Sequence, residues 1–201
     1  MARPRGADSA QTRARILAAA IEAFAAGGAS GTTTRTIARA AGVSLATLHH
    51  HFGSKDDLYQ ACIASMYAEF AQLRTIIVPA EGADTAGWVR DVVQQTFRFA
   101  LRHRTAVRLT TRDAVERGIP VQQQVVLAAA LQAGVAALAG RSPLPEDELR
   151  LSLRSLSWLL IRYVLASEAE LALIIGQPLS GDALTERVAD HLGRMAVAAV
   201  L

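Results

Sequence analysis

Apolar residues recur along the chain at the three-to-four-residue spacing of helices, and glycine, proline and hydroxyl residues divide them into segments. Ile16, Leu17, Ala20, Ile21 and Phe24 form one stripe, predicting a helix over about residues 10–26 that Ser9 caps and Gly27-Gly28 stops. Thr33 is placed to cap a second helix carrying Ile37, Ala38 and Ala41, which ends after about two turns at Gly42. Ser44 opens a third short segment, LATLHHHF, in which Leu48 and Phe52 lie four apart on one face, and Gly53 closes it. Two short helices joined by Ala40-Ala41-Gly42-Val43 spell a helix-turn-helix.

The same reading continues through the remaining chain. A fourth helix is expected from about Lys55 to Thr75 through Leu58, Cys62, Met66 and Phe70, followed by a loop over 78–84. A single long helix over about 85–116 carries Val89, Val93, Phe97, Leu101, Thr111 and Val115. Pro120 is placed to open a helix over about 120–139 that ends at Gly140. Residues 146–175 contain neither Gly nor Pro and hold the stripe Leu149, Leu153, Leu156, Leu160, Tyr163 and Val164. After Gly176-Gln177-Pro178 a last helix from about Gly181 carries Leu184, Val188, Leu192, Met195 and Ala199. The fold class expected is all-α: a basic disordered arm over 1–9, a helix-turn-helix domain over 10–56, and a helical regulatory and dimerisation domain over 57–201.

Composition agrees with this pattern. Of 201 residues 51% are hydrophobic but only 5% aromatic, so the apolar content is mostly the small and aliphatic residues that helices favour. The single cysteine, Cys62, excludes an intrachain disulfide and a cysteine-based zinc cluster. No run of about 18 apolar residues occurs, so no membrane partner and a cytoplasmic location are expected. Charge is uneven. The first sixty residues hold seven bases against four acids, whereas the remaining 141 hold fourteen of each. A neutral domain joined to a basic one is what a polyanion-binding module looks like, although an excess of three over sixty residues also falls within ordinary scatter.

The chemistry of the basic segment follows from its geometry. A short helix with a polar outer face enters the major groove of duplex DNA, about 12 Å wide, while hydroxyls and helix N-termini grip the flanking phosphates. Thr33, Thr34, Ser44 and Thr47 supply those hydroxyls. The run TTRTIARAAGVSLATLHHHFGSKDDLYQACI also resembles the DNA-binding signature of the tetracycline-repressor (TetR) family of bacterial regulators over about residues 10–62. Thr34, Ile37, Ala38, Ala41, Gly42, Val43, Ser44, Thr47, Leu48, His51, Phe52, Ser54, Lys55 and Leu58 fall at the family's spacing.

The resemblance implies roles for particular residues. Leu45 and Ala46 hold the early recognition-helix positions that face base edges, where they have only apolar contact to offer, which leaves Arg35, Thr47, His50 and DNA shape to add specificity. Lys55, the only lysine, stands where the family grips a phosphate. His49 replaces the family's usual tyrosine, so operator affinity is expected to rise as pH falls from about 7.5 to about 6. Arg3 and Arg5 either reach the minor groove or fray into solvent. The consecutive His49-His50-His51 point about 100° apart on a helix and cannot converge on one ion, so no metal and no cofactor are expected.

For the rest of the chain, projection at about 100° per residue puts Arg104 and Arg108 on the apolar face beside Phe97. Family members hold an inducer in this second domain. Phe97, Leu101, Arg104 and Arg108 are therefore candidate contacts to a small-molecule ligand with an anionic group. The alternatives are an internal ion pair with Asp113 or Glu116, or a kink near His103 that turns both arginines to solvent. Leu153, Leu156, Leu160, Leu184, Val188, Leu192 and Met195 are the candidate homodimer interface, since two copies pairing as a four-helix contact would present two heads to adjacent half-sites. The expected function is a homodimeric repressor that leaves a palindromic operator in double-stranded DNA when it binds a small-molecule inducer. An activator or a ligand-independent DNA binder on the same scaffold is the alternative. An enzyme is disfavoured because no recognised catalytic motif surrounds Cys62, His103 or His191.

Overall fold

The computed structural model describes residues 5–71, 84–118 and 121–201. Within them every regular element is a helix: α1 (Arg5–Gly31), α2 (Thr34–Ala40), α3 (Leu45–Phe52), α4 (Lys55–Ala71), α5 (Thr85–Arg102), α6 (Arg104–Arg117), α7 (Val121–Leu138), α8 (Glu146–Leu165), α9 (Glu168–Ile175) and α10 (Gly181–Val200). None of these helices is long and apolar enough to cross a membrane. Arg3 and the expected 78–83 loop lie outside the described residues, as does the end of the fourth helix beyond 71, while Arg5 begins α1.

The residues divide into two compact units, one made of the chain up to Glu69 with Arg108–Ile119, the other of Phe70–Val107 with Pro120–Leu201. The head therefore keeps most of α4 and gains most of α6, where the sequence suggests a boundary at 56. Its core joins Ile16, Phe24, Ile37, Leu48, Leu58, Cys62 and Ile63 to Leu109 from α6. Phe24 and Tyr59 meet edge to face at 4.9 Å, and the Tyr59 hydroxyl donates to buried Asp113 Oδ1 at 2.8 Å. Helix α1 bends at Gly28, whose φ of 70° and ψ of 176° suit only glycine. A Cβ there would stand 2.6 Å from the Arg112 guanidinium, which itself pairs with Glu116.

In the second unit α5 and α10 run antiparallel along a polar seam. Gly193 gives way to Arg90, Gln94 Nε2 donates to Asp190 Oδ1 at 2.9 Å, and Arg98 pairs with Glu186 at 2.6 Å. The Arg98 hydrogen bond holds the Glu186 carboxyl below its usual range. Beneath that seam Phe97 packs with Val164, Leu171, Leu184, Val188 and Leu192, and a neighbouring cluster gathers Val89, Val135, Leu138, Leu149, Ala196 and Val200.

Two expected helices are each broken. The 85–116 helix stops at His103, which takes φ −107° and ψ 29° before α6 restarts. The 146–175 helix stops at Ala166, extended at ψ 142°, and Ser167 caps α9 by accepting from Glu170 N–H. Neither break carries the glycine or proline that a sequence scan relies on, and a serine cap alone is a weak signal.

Candidate nucleic-acid interface

Local chemistry builds the helix-turn-helix as its caps indicated. Thr33 Oγ1 accepts from Thr36 N–H at 3.1 Å and opens α2. At its other end Gly42, with φ +65°, allows Val43 N–H to reach Ala38 O at 3.0 Å and Gly42 N–H to reach Arg39 O at 3.2 Å. That double bond is a Schellman closure, and it turns the chain directly into the next cap. Ser44 Oγ accepts from Thr47 N–H at 3.0 Å, starting α3. Leu48 and Phe52 then hold α3 on the head core, with Arg13 lying 4.8 Å over the Phe52 ring.

Several candidate DNA contacts are already engaged within the chain. Thr33 and Thr36 hydroxyls meet at 2.9 Å, and Ser44 and Thr47 hydroxyls at 2.8 Å, so each pair forms a joined unit. Leu45 departs from expectation. It packs against the head core, because it lies on the Leu48 and Phe52 side of α3. Thr34 is half-buried, while Arg35, Ala46, His49 and His50 are exposed.

His49 is held by its own helix end. Its Nδ1 lies 2.6 Å from Gly53 O, and because a carbonyl only accepts, Nδ1 carries the proton and Nε2 is bare in the neutral ring. Lys55 departs further from its expected place. Its ammonium donates to Ala29 O at 2.7 Å and Thr32 O at 3.1 Å, closing the carbonyl end of α1 instead of projecting from the head. The next turn is a capping box that the sequence reading passed over. Ser54 N–H and Oγ–H both donate to Asp57 Oδ2, at 3.0 and 2.7 Å, and Asp57 N–H returns to Ser54 Oγ. The Ser54 bonds hold the Asp57 carboxyl below its ordinary value. The Ser-x-x-Asp spacing was the signal for this box. Cys62 lies fully buried in the head, and desolvation pushes its thiol up to about 12, which leaves no reactive thiolate.

The candidate ligand residues do not converge as a set. Phe97 is buried and Leu101 half-buried in the core of the second unit, so both serve its packing. Arg104 Nη2 donates to Leu165 O at 3.0 Å and Ala166 O at 2.7 Å, capping the end of α8. Arg108 is exposed and counts with the head. Both arginines lie beyond the break at His103, so the straight-helix projection that grouped them with Phe97 does not hold. Arg104 Nε and Trp88 Nε1 are buried without a hydrogen-bond partner among the described residues.

The candidate dimer stripe also changes character. Leu184, Val188 and Leu192 are buried in the chain's own core with Phe97, because α10 spends its apolar face on α5. Leu153 and Leu156 are half-buried against the Val135 cluster and Leu160 against the Phe97 cluster. The large apolar side chains left exposed on α8 and at the C-terminal end are Leu151, Trp158, Met195 and Leu201.

Residues 16–62 match the family described as bacterial regulatory proteins, tetR family. The chain is 45% identical over 65 residues to the transcriptional regulator SrpR of Pseudomonas putida, covering 32% of this chain and 30% of that protein. It is 32% identical over 90 residues to the transcriptional regulator TtgR, also of Pseudomonas putida, covering 45% of this chain and 43% of that one. The matched stretch is thus less than half the length of either relative. Across 92% of the chain the fold follows the crystal structure of a TetR-like transcriptional regulator from Rhodococcus sp. RHA1, with a TM-score of 0.69, 19% identity and 93% of that chain covered. Residues 16–62, which build the capped helix-turn-helix, thus carry the segment shared by bacterial regulatory proteins of the tetR family, and the chain as a whole has the all-helical fold of a TetR-like regulator.

Proposed function

We propose that the protein is a transcriptional repressor that binds a palindromic operator in double-stranded DNA as a homodimer and is released by a small-molecule inducer. The observation that carries the DNA-binding part is α3 itself. It is closed at both ends by its own caps, anchored by buried Leu48 and Phe52, and bears exposed Ala46, His49 and His50 on a basic head. A rigid helix with a small, polar outer face is what the major groove admits, and the caps of α2 and α3 bring backbone N–H groups toward phosphates.

Pairing of two copies is supported by the exposed Leu151 and Trp158 on α8 and Met195 on α10, side chains that a second copy would remove from water. Leu153, Leu156 and Leu160 back this surface from half-buried positions. An inducer is supported by the buried donors Trp88 Nε1 and Arg104 Nε in the second unit, each of which an acceptor on a ligand would satisfy. A ligand that binds one arrangement of the dimer better than the other shifts it away from the half-site spacing that DNA requires.

The test is selection of duplexes from a randomised library by the full-length protein, followed by titration of the enriched and a scrambled duplex. A palindromic motif bound about 10³-fold more tightly, with two chains per duplex, is the expected result. Equal, salt-dependent binding to every duplex would make the protein a sequence-blind DNA binder and overturn the reading. Transcription from a promoter carrying the motif should fall when the protein is present. A rise would assign activation instead.

A further inference from the structure

On the reading of α3 as a recognition helix, the positions along it are not equivalent, and the structure ranks them. Successive residues rotate by about 100°, so Leu48 and Phe52, which face the core, place the opposite meridian through Ala46 and His50. The neighbours on either side of that meridian are spoken for. His49 is tied to Gly53 O, Thr47 to Ser44, and Leu45 packs inward. His50 is exposed and makes no hydrogen bond among the described residues, and its ring rests edge-on against His51 at 5.6 Å. Thus the outer face of α3 carries one methyl group and, one turn later, one free imidazole.

We infer that His50 is the residue that reads a base edge in each half-site, taking a guanine, with Ala46 against a thymine methyl about two base pairs away. A neutral imidazole has one N–H donor. Guanine offers it two adjacent acceptors in the major groove, N7 and O6, whereas adenine offers N7 alone, with an amino donor beside it that cannot accept. Ala46 has no polar atom and fits against the thymine methyl alone. The separation follows from the helix: four residues rise about 6 Å, close to two base-pair steps of about 3.4 Å.

The same library selection, run with His50→Ala and His50→Gln variants of the full chain, tests this. His50→Ala should lose preference for one guanine in each half-site by on the order of tenfold, with other positions and the salt dependence of affinity unchanged. His50→Gln should move that preference from guanine to adenine, because a carboxamide matches the N6 and N7 pair of adenine. A purely structural role for His50 would produce neither shift. If wild-type protein enriches a motif but both variants enrich the same motif, the inference falls and the regulator reading stands. A uniform loss on all duplexes, with a shallower salt dependence, would make His50 a phosphate contact and also overturn it. If wild-type protein enriches nothing, both readings fall together.

Discussion

Replacing Lys55 with methionine separates two roles for the only lysine in the chain, closing helix α1 or gripping DNA. Methionine keeps an unbranched stem of similar length and removes the ammonium, so the perturbation is the loss of the bonds to Ala29 O and Thr32 O. Net contributions of hydrogen bonds to charged groups are about 1.5–3 kcal/mol each. Here both share one half-buried ammonium, and the carbonyls of a helix end regain some hydration, so about 2 kcal/mol for the pair is the reasonable figure. With a urea dependence of about 2 kcal/mol per molar, the unfolding midpoint of the head should fall by about 1 M. The chain has a convenient reporter for that unit. Cys62 is its only thiol, fully buried in the head, whereas both tryptophans, Trp88 and Trp158, belong to the second unit. Thiol labelling against urea therefore follows the head, and tryptophan fluorescence follows the rest. DNA binding below the transition should keep its salt dependence. An unchanged Cys62 midpoint together with a salt slope shallower by about one would show that the ammonium serves a phosphate and that the helix-closing role is mistaken.

Two further outcomes are expected. Gly28→Ala forces a side chain into a conformation with φ near +70° and against the Arg112 guanidinium, so the Cys62 midpoint should fall by an amount corresponding to about 1–3 kcal/mol; an unchanged midpoint would mean that the bend in α1 adapts freely. His49→Ala removes the ring bond to Gly53 O that closes the end of α3, so the Cys62 midpoint should fall by an amount corresponding to about 0.5 kcal/mol, and an unchanged midpoint would mean that this bond does not hold the helix end.

The head was legible in the sequence because its determinants are local. Thr33, Ser44, Gly42 and Gly53 each act within four or five residues of their own position, so their spacing in the text is their geometry in the fold. What the text concealed there is contact across distance. Nothing in the spacing indicates that Lys55 turns back 26 residues to Ala29, or that Tyr59 reaches Asp113 across 54. The basic character of Lys55 and its place in the motif pointed outward, and packing against the end of α1 points it inward.

The second unit reverses the proportion of local to distant determinants, and its candidate residues moved accordingly. A stripe such as Leu184, Val188 and Leu192 states that a face is buried, but a second copy and a helix of the same chain bury it equally well. The deciding information is the polar seam of Gln94 with Asp190 and Arg98 with Glu186, pairs 96 and 88 residues apart whose members look like ordinary solvated charges in either helix alone. Likewise the inward projection of Arg104 and Arg108 assumed one straight helix, and the turn at His103 cancels that assumption without a glycine or proline to announce it. Element boundaries therefore transfer well along a motif whose geometry is set by caps, whereas side-chain roles within it, as Leu45 and Lys55 show, depend on packing. For ligand and interface positions, whose geometry is set by remote packing, the useful sequence feature is an unusual polar group inside an apolar stripe, and Arg104 is the instance here: it carries a buried Nε without a partner among the described residues, and its Nη2 caps the carbonyls at the end of α8.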